Sequence, residues 1–417
     1  MKSFIENYKS TIILLGAIIL GGIVGVVMGP EATIFKPIGD LFLNLLFMIL
    51  VPLVFFSVTS AIANMSEMKR LGKILKNIII VFVGTALLSG IIGIIGVLIF
   101  NPTEGLNQGM FAHLMAGAES VQNTEKVNIL QQLVNTVTVT DFKDLLSKSS
   151  MLQLIIFSML FGIATASAGE KAKPIAKFVE AGSVVMMKIV DMIMKLAPLG
   201  LGCYFASVIG ELGPQILSGY AKVFVLYLIL TVILYFVFFT IYAYIAGGKE
   251  GIKTFWSNAL PPTVTALATC SSAASIPVNL DASKKMGVPS DIAETVIPLG
   301  ANIHKDGSVI GGVLKITFLI GLLGGDMTSP GAIVGILAVS FLVGAVMGAI
   351  PGGGMMGEML ILSVYGFSPE VLPIIAVIST IIDAPATVLN STGNTVCSMM
   401  VARLVEGKDW LKKSLSN

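Results

Sequence analysis

The chain has 417 residues, of which 55% are hydrophobic and 12% are charged, with a net charge of +2. Soluble domains average about 25% charged residues, so this composition and a mean hydropathy of +0.92 exclude an ordinary soluble globular protein. Apolar runs such as 11–29 and 77–100 contain no acidic or basic residue and are long enough to cross a hydrocarbon core of about 30 Å. The sequence therefore predicts an all-α, polytopic membrane protein, surrounded by membrane lipids.

Cysteine and histidine are scarce in this chain. Its three cysteines lie in apolar or small-residue segments, and neither they nor the two histidines show metal-ligand spacing. An odd number of such cysteines does not favour a disulfide framework. We therefore expect no zinc site and no cofactor, and the small net charge gives no sign of a nucleic-acid partner.

Apolar runs separated by polar or helix-breaking residues predict eight transmembrane helices. They are expected at 11–29, 38–64, 74–100, 150–168, 174–212, 217–246, 289–323 and 369–404. Basic residues gather at both ends of the chain and after the second, fourth and sixth spans, whereas loop 101–149 carries five acids and three lysines. Because basic residues stay on the cytoplasmic side, we place both termini in the cytoplasm and the protein in the inner, or plasma, membrane.

Two further apolar segments, 252–281 and 330–366, are interrupted in the middle. The first contains a run of small and hydroxylated residues at 267–277, and the second contains glycines at 352–357. Lysines flank both ends of the first, which predicts a re-entrant hairpin from the cytoplasmic side, whereas the second would enter from outside. Two opposed hairpins, each followed by a long helix, indicate an inverted-repeat transporter with a site near the membrane midplane. Two ordinary helix pairs packed through small residues are the alternative.

The stretch 302–308 places His304, Lys305 and Asp306 side by side between two apolar runs. Each charge at this depth costs about 2.5–3.5 kcal/mol, so such residues are normally kept for a pathway or a binding site. This stretch is therefore the first candidate for function.

Polar residues of the last span form a second candidate. They are spaced by four, three and four positions and share one helix face: Asp383, Thr387, Asn390 and Asn394. An aspartate on a neutral polar stripe suits an ammonium group or a cation, and an interhelical hydrogen-bond stripe is the alternative. Near the first hairpin tip, Ser271, Ser272 and Ser275 supply hydroxyl and backbone N–H groups of the kind that bind carboxylates.

Three motifs resemble, in order and spacing, those of the dicarboxylate/amino acid:cation symporter family, which includes glutamate, aspartate and neutral amino-acid transporters. They are Thr269–Pro277, Pro298–Ser308 and Asp383–Asn394. The resemblance runs through nearly the whole chain and implies a homotrimer with eight spans, two re-entrant hairpins and an elevator mechanism. It divides the chain into scaffold parts at 1–73 and 150–216, an extracellular loop at 108–149, and transport-domain parts at 74–107 and 217–417.

The resemblance also implies roles for individual residues. Ser271 and Ser272 would hold the substrate α-carboxylate, Asp383 would take the α-amino group, and glycines able to adopt positive φ would form a gate. The implied substrate-binding positions are Ser271, Ser272, Ala273, Gly353, Gly354, Asp383, Ala386, Thr387 and Asn390. The implied cation-site positions are Thr85, His304, Lys305, Asp306, Asn390 and Asn394, and the implied gate glycines are Gly352, Gly353, Gly354 and Gly357.

The chain departs from the family at the substrate site. Members that carry acidic substrates place an arginine one turn after the amino-binding aspartate, where this chain has Ala386, or on the first hairpin, where it has Cys270. A side-chain carboxylate would then lack its bidentate partner. We therefore expect a small neutral amino acid such as serine, threonine or alanine, and the run Ser271–Asn279 resembles the serine/threonine branch most closely.

The cation site departs as well. His304 and Lys305 replace an asparagine and a methionine that help to bind sodium in the family. Asn394 replaces an aspartate, and Ala86 replaces a serine. An ammonium repels Na⁺ by several kcal/mol at about 4 Å. Lys305 could pair with Asp306 and replace the cation, or Lys305, His304 and Asp306 could form a proton relay. We therefore expect a secondary active transporter that is proton-coupled or sodium-independent. The alternative is that Lys305 snorkels away and leaves sodium coupling intact.

Three alternative functions are an acidic-substrate carrier, a membrane-embedded enzyme and a passive channel. A carrier of dicarboxylates or acidic amino acids could use Lys305 to neutralise the distal carboxylate. A membrane-embedded enzyme would need an activated nucleophile, a metal set or a cofactor motif, which the sequence does not show, and a passive channel would not need two opposed hairpins. We interpret Glu358 as a structural cap of the second hairpin arm, with a protonatable gate residue as the alternative, and assign Lys315 no role.

Overall fold

The computed structural model describes residues 2–63, 69–105, 138–147, 150–212, 215–347, 353–368 and 371–415. Within these ranges the regular structure is entirely helical. The first half contains α1 (Lys2–Met28), a 3₁₀ segment (Gly29–Phe35), α2 (Lys36–Ala63), α3 (Lys69–Ile99), α4 (Met151–Ser167), α5 (Lys173–Met194) and α6 (Ala197–Leu212). The second half contains α7 (Gln215–Val232), a π-helical stretch (Ile233–Phe238), α8 (Phe239–Asn258), α9 (Leu260–Thr269), α10 (Ser272–Lys285), α11 (Ser290–Ile303), α12 (Asp306–Leu322), α13 (Pro330–Val346), α14 (Gly353–Tyr365), α15 (Leu372–Glu406) and α16 (Trp410–Leu415).

Helices are expected because every backbone N–H and C=O must find a partner within the hydrocarbon. Four stretches of the described chain are long and apolar enough to cross a membrane: Gly16–Phe42, Lys73–Ile99, Ile216–Asn258 and Leu372–Glu406. Shorter apolar helices lie at 51–60, 156–167, 330–346 and 354–365. The helical pattern predicted from the sequence is confirmed, whereas the membrane crossing of each segment stays a prediction.

Glycines bring α1 and α6 into close contact. A Cβ on Gly21 would lie 2.2 Å from the carbonyl oxygen of Gly202, and one on Gly25 would lie 2.5 Å from that of Ala206. The two helices therefore touch backbone to backbone, and a larger residue at either glycine would separate them. Helix α2 packs on α4, α5 and α6, so these five helices form one packed group.

Helix α15 is the centre of a second packed group. It contacts α3, α7 and every helix from α8 to α12, as well as α14. Side chains such as Leu389, Val396 and Met399 have no exposed surface. A site on α15 is therefore enclosed by protein on most sides.

The two predicted hairpins appear as packed helix pairs, α9 with α10 and α13 with α14. The first break is shorter than predicted, since only Cys270 and Ser271 separate the helices and Pro277 lies inside α10. Cys270 has a left-handed backbone with φ of 47°, and the Ser271 hydroxyl caps α10 by accepting a hydrogen bond from Ala274 N at 3.2 Å.

The described glycines of the second pair lack the positive φ expected of a gate, and the gate role itself stays a prediction. Gly354 and Gly357 are helical and do not have positive φ, and Gly352 lies outside the described residues. A Cβ on Gly357 would lie 2.8 Å from a Val343 side-chain carbon and 2.9 Å from Met347. Gly357 therefore lets the two arms pack closely.

The fifth and seventh predicted spans are each divided in two. Residues 174–212 form α5 and α6, and residues 289–323 form α11 and α12. His304 and Lys305 separate α11 from α12, with φ, ψ of −123°, 108° and −143°, 76°. The candidate charges thus lie on a short non-helical segment inside the helical core.

Candidate functional site

Side chains from neighbouring helices stabilise the break between α11 and α12. Asn390 Oδ1 accepts hydrogen bonds from Gly307 N at 2.9 Å and Ser308 N at 3.2 Å, and Asn390 Nδ2 donates to Ser308 Oγ at 3.1 Å. Tyr227 donates its hydroxyl proton to Gly307 O at 2.8 Å. Asn390 therefore satisfies N–H groups at the start of α12 that have no partner within the helix.

His304 occupies the centre of the predicted cation site. Its side chain is 2% exposed and stacks on Phe82 with ring centroids 4.1 Å apart. His304 Nε2 lies 2.7 Å from Thr85 Oγ1, and Nδ1 lies 2.8 Å from Asn394 Oδ1. Asp306 Oδ1 lies 3.2 Å from Nε2. The imidazole thus contacts three of the positions that the sequence assigned to a cation.

The hydrogen bonds define the protonation of this ring. Asn394 Nδ2 donates to Asn390 O at 2.7 Å, so its Oδ1 faces His304 Nδ1, which must donate. On the other side, the Thr85 hydroxyl donates to backbone carbonyls of its own helix, and the nearby Asp306 carboxylate can only accept. With Nδ1 donating and Nε2 facing a hydroxyl and a carboxylate, the site can hold a second proton on Nε2, and His304 is then an imidazolium paired with Asp306.

Of the alternatives for Lys305, the structure does not show the pairing with Asp306. Neither carboxylate oxygen of Asp306 makes a hydrogen bond within the described structure, and its ion-pair partner is His304. Lys305 instead interacts electrostatically with Asp383. The physical reason is the extended backbone at these two residues, because successive side chains of an extended chain point in opposite directions.

Asp383 is exposed although it lies on the most enclosed helix, and its neighbours Ile382 and Ala386 are buried. Its charge interacts with Lys305 and with Cys270 at the tip between α9 and α10. The carboxylate therefore faces an open space bordered by this tip and by the break before α12.

The other predicted substrate positions differ in their exposure. Ser271 is half-buried, Ala273 is exposed and Gly354 is half-buried. Ser272, Ala386, Thr387 and Asn390 are buried. Asn390 uses its amide for α12, as described above, and the side-chain environment of position 353 is outside what the structure describes.

A second charge cluster, which the sequence did not predict, joins α12, α14 and α15. Lys315 and Glu358 are each 2% exposed, with Lys315 Nζ 3.7 Å from Glu358 Oε1. Lys315 also donates to Ser379 Oγ at 2.8 Å, and Ser379 donates to Glu358. Glu358 is therefore an ion-paired residue within α14, and its interpretation as a cap is wrong. The signal in the sequence was one charge within each of two apolar stretches, Lys315 in α12 and Glu358 in α14.

With His304 protonated, the charges of the core balance. Among the described residues the buried basic side chains are His304, Lys305 and Lys315, and the buried carboxylic side chains are Asp306 and Glu358. Exposed Asp383 supplies a third negative charge beside Lys305 and Lys315. A ligand that enters this space without changing the total charge avoids the cost of an uncompensated charge in a low-dielectric region.

Comparison with known proteins identifies the family of the chain. Residues 11–404 match the sodium:dicarboxylate symporter family. The chain is 30% identical over 391 residues to the proton/sodium-glutamate symport protein of Bacillus subtilis (strain 168), covering 93% of this chain and 90% of that one. It is 28% identical over 396 residues to the C4-dicarboxylate transport protein of the same organism, covering 94% and 93%. A proton/sodium-glutamate symport protein of Bacillus caldotenax is 29% identical over 395 residues, covering 93% and 92%.

The match covers nearly the whole chain and includes the helices that carry every candidate site residue. The chain is therefore a multi-pass membrane protein of the sodium:dicarboxylate symporter family, a cation-coupled symporter and not an enzyme.

Proposed function

We propose that this symporter carries a small neutral L-amino acid such as serine, threonine or alanine, as members of the serine/threonine branch do. The observation that supports this most is Asp383, an accessible acidic residue within electrostatic range of Lys305 and Lys315. A zwitterion leaves the net charge of this site unchanged, since its ammonium group can approach Asp383 while its carboxylate approaches a positive partner. An acidic substrate would add a negative charge without an arginine to receive it, because position 386 is alanine.

The carboxylate of this substrate would bind at the tip between α9 and α10. Residues Ser271, Ser272 and Ala273 form the start of α10, where backbone N–H groups and the helix dipole favour an anion. Gly353 and Gly354 at the start of α14 would close over the substrate. Opposed re-entrant hairpins, an elevator motion of the transport domain, a homotrimer and cytoplasmic termini in the plasma membrane complete the proposal.

The coupling ion in this proposal is a proton. The imidazolium of His304 lies where oxygen ligands of a cation would converge, with Thr85, Asn394 and Asp306 around it. A positive charge at that position repels Na⁺, and a histidine can release and take up a proton in the physiological range. His304 and Asp306 would therefore carry the proton, and Lys305 would belong to the substrate side.

Uptake into proteoliposomes tests the substrate. We expect radiolabelled L-serine to accumulate and unlabelled L-threonine and L-alanine to compete, whereas aspartate and malate do not. Competition by aspartate or malate at equal concentration would contradict the neutral-substrate proposal.

Sodium binding tests the coupling ion independently. We expect the purified protein to have the same thermal unfolding midpoint in sodium chloride and in choline chloride at equal ionic strength. A sodium-specific increase in that midpoint would show that the imidazolium does not exclude the ion.

A second candidate is a carrier of acidic amino acids or C4-dicarboxylates. It is favoured by Lys305, which lies within electrostatic range of Asp383 and could neutralise a substrate carboxylate, and by the relatives that are glutamate and C4-dicarboxylate transport proteins. The same competition experiment separates the two candidates.

A further inference from the structure

The cluster of Lys315, Glu358 and Ser379 has no part in the function proposed above. A buried ion pair contributes little net stability, because the desolvation of two charges offsets their attraction. Ionisable residues inside a membrane are therefore candidates for a functional role, with a named partner. The geometry here joins three helices at one point, since Lys315 lies on α12, Glu358 on α14 and Ser379 on α15.

Lys315 has two acids within electrostatic range. Glu358 lies 3.7 Å away, which is long for an ion pair, and the Ser379 hydroxyl bridges the two side chains. Ser379 is four residues before Asp383, so the two lie one turn apart on the same face of α15. The charge of Lys315 also interacts with that of Asp383.

We propose that Lys315 is shared between Glu358 and Asp383, and that Glu358 sets the affinity of Asp383 for ammonium by drawing Lys315 away from it. The part of this proposal that concerns affinity rests on the proposed function of Asp383. Lys315 is then a positioning residue that acts through Asp383. By reciprocity, an ammonium group at Asp383 repels Lys315 towards Glu358 and strengthens the ion pair that joins α14 to α12.

Neutralisation of one partner and then of both tests the sharing. In Glu358→Gln, Lys315 has Asp383 as its remaining acid and competes with the substrate, so we expect L-serine affinity to fall about tenfold. In Glu358→Gln/Lys315→Met the competitor is gone, and affinity should return to within about threefold of the wild type. Binding is measured by scintillation proximity on the full chain in lipid nanodiscs. Lys222→Met, at an exposed lysine that bonds Glu104 O, is the control and should bind as the wild type does.

A double variant that binds as weakly as Glu358→Gln, or more weakly, would overturn the proposal, because removal of the competing ammonium should return Asp383 to its substrate. Restored affinity supports sharing when the Cys270 thiol responds as described next, because relief of an unpaired buried lysine alone would restore affinity without changing the charge beside Asp383.

A second readout needs no ligand. Cys270 is half-buried beside Asp383, and the thiolate is the reactive form of a cysteine. With Cys203 replaced by serine and Cys397 buried, methyl methanethiosulfonate should react faster with Glu358→Gln than with the wild type, because Lys315 then offsets the charge of Asp383. The double variant should return to the wild-type rate. Equal rates in all three proteins would overturn the sharing even if L-serine proves not to be a substrate, so the two failures are distinguishable.

Discussion

Replacement of His304 by glutamine removes the cation beside Asp306 and leaves a side chain that can still hydrogen-bond to Thr85 or Asn394. Asp306 is 1% exposed and neither of its oxygens has a hydrogen bond within the described structure, so it would remain as an unpaired buried carboxylate. Removal of one partner of a buried pair costs about 3–5 kcal/mol. The double variant His304→Gln/Asp306→Asn has no such charge, and we expect it to lose only about 1–2 kcal/mol of unfolding free energy.

Reversible unfolding in mixed detergent micelles measures these differences. The expected order of stability is wild type, double variant, then single variant, with the single variant lowest by about 2–3 kcal/mol. Sodium chloride, compared with choline chloride, should stabilise His304→Gln more than the wild type, because the position beside Asp306 becomes available to a hard cation. Equal stability of the wild type and the single variant would refute the imidazolium, since a neutral histidine leaves Asp306 no more isolated than glutamine does.

Three further predictions concern the substrate space and the packing of α15. Asp383→Asn should lower L-serine uptake about 100-fold or more at unchanged protein levels, because the ammonium group loses its carboxylate partner, and normal uptake would contradict that role. Ala386→Arg should make aspartate a competitor of L-serine uptake, because it supplies the bidentate partner; unchanged selectivity would contradict our interpretation of this position. Gly300→Ala should lower the free energy of unfolding by about 1–3 kcal/mol, since its methyl group would lie 2.2 Å from Asn394 Oδ1. Gly331→Ala is the matched control, because its methyl group would meet no atom within 4 Å. Equal losses of unfolding free energy in the two variants would contradict a close contact between position 300 and Asn394.

The hydrophobic pattern predicted the helices well because long apolar runs have few alternatives in a membrane. It did not predict the break between α11 and α12. The polar stretch 302–308 marks a candidate site but not a helix break, because what stabilises the break is Asn390, which lies on another helix more than 80 residues away in the sequence.

The sequence also identified the charged residues of the site but not their partners. His304 and Lys305 are neighbours in the chain, yet one contacts Thr85 and the other interacts with Asp383, because the backbone between the two helices is extended. The sequence suggested a cap of its own helix for Glu358, because the pairing with Lys315 depends on how α12 and α14 pack. Contacts of this kind depend on tertiary structure, which a single sequence does not show.

Uptake driven by separate ion gradients tests the central claim, that a histidine occupies the position of the coupling sodium. Proteoliposomes that contain the wild-type protein are given an inward proton gradient without sodium, or an inward sodium gradient at equal pH, and L-serine accumulation is measured. We predict accumulation with the proton gradient and none above equilibrium with the sodium gradient. Accumulation that requires sodium and ignores the proton gradient would contradict the proposed coupling.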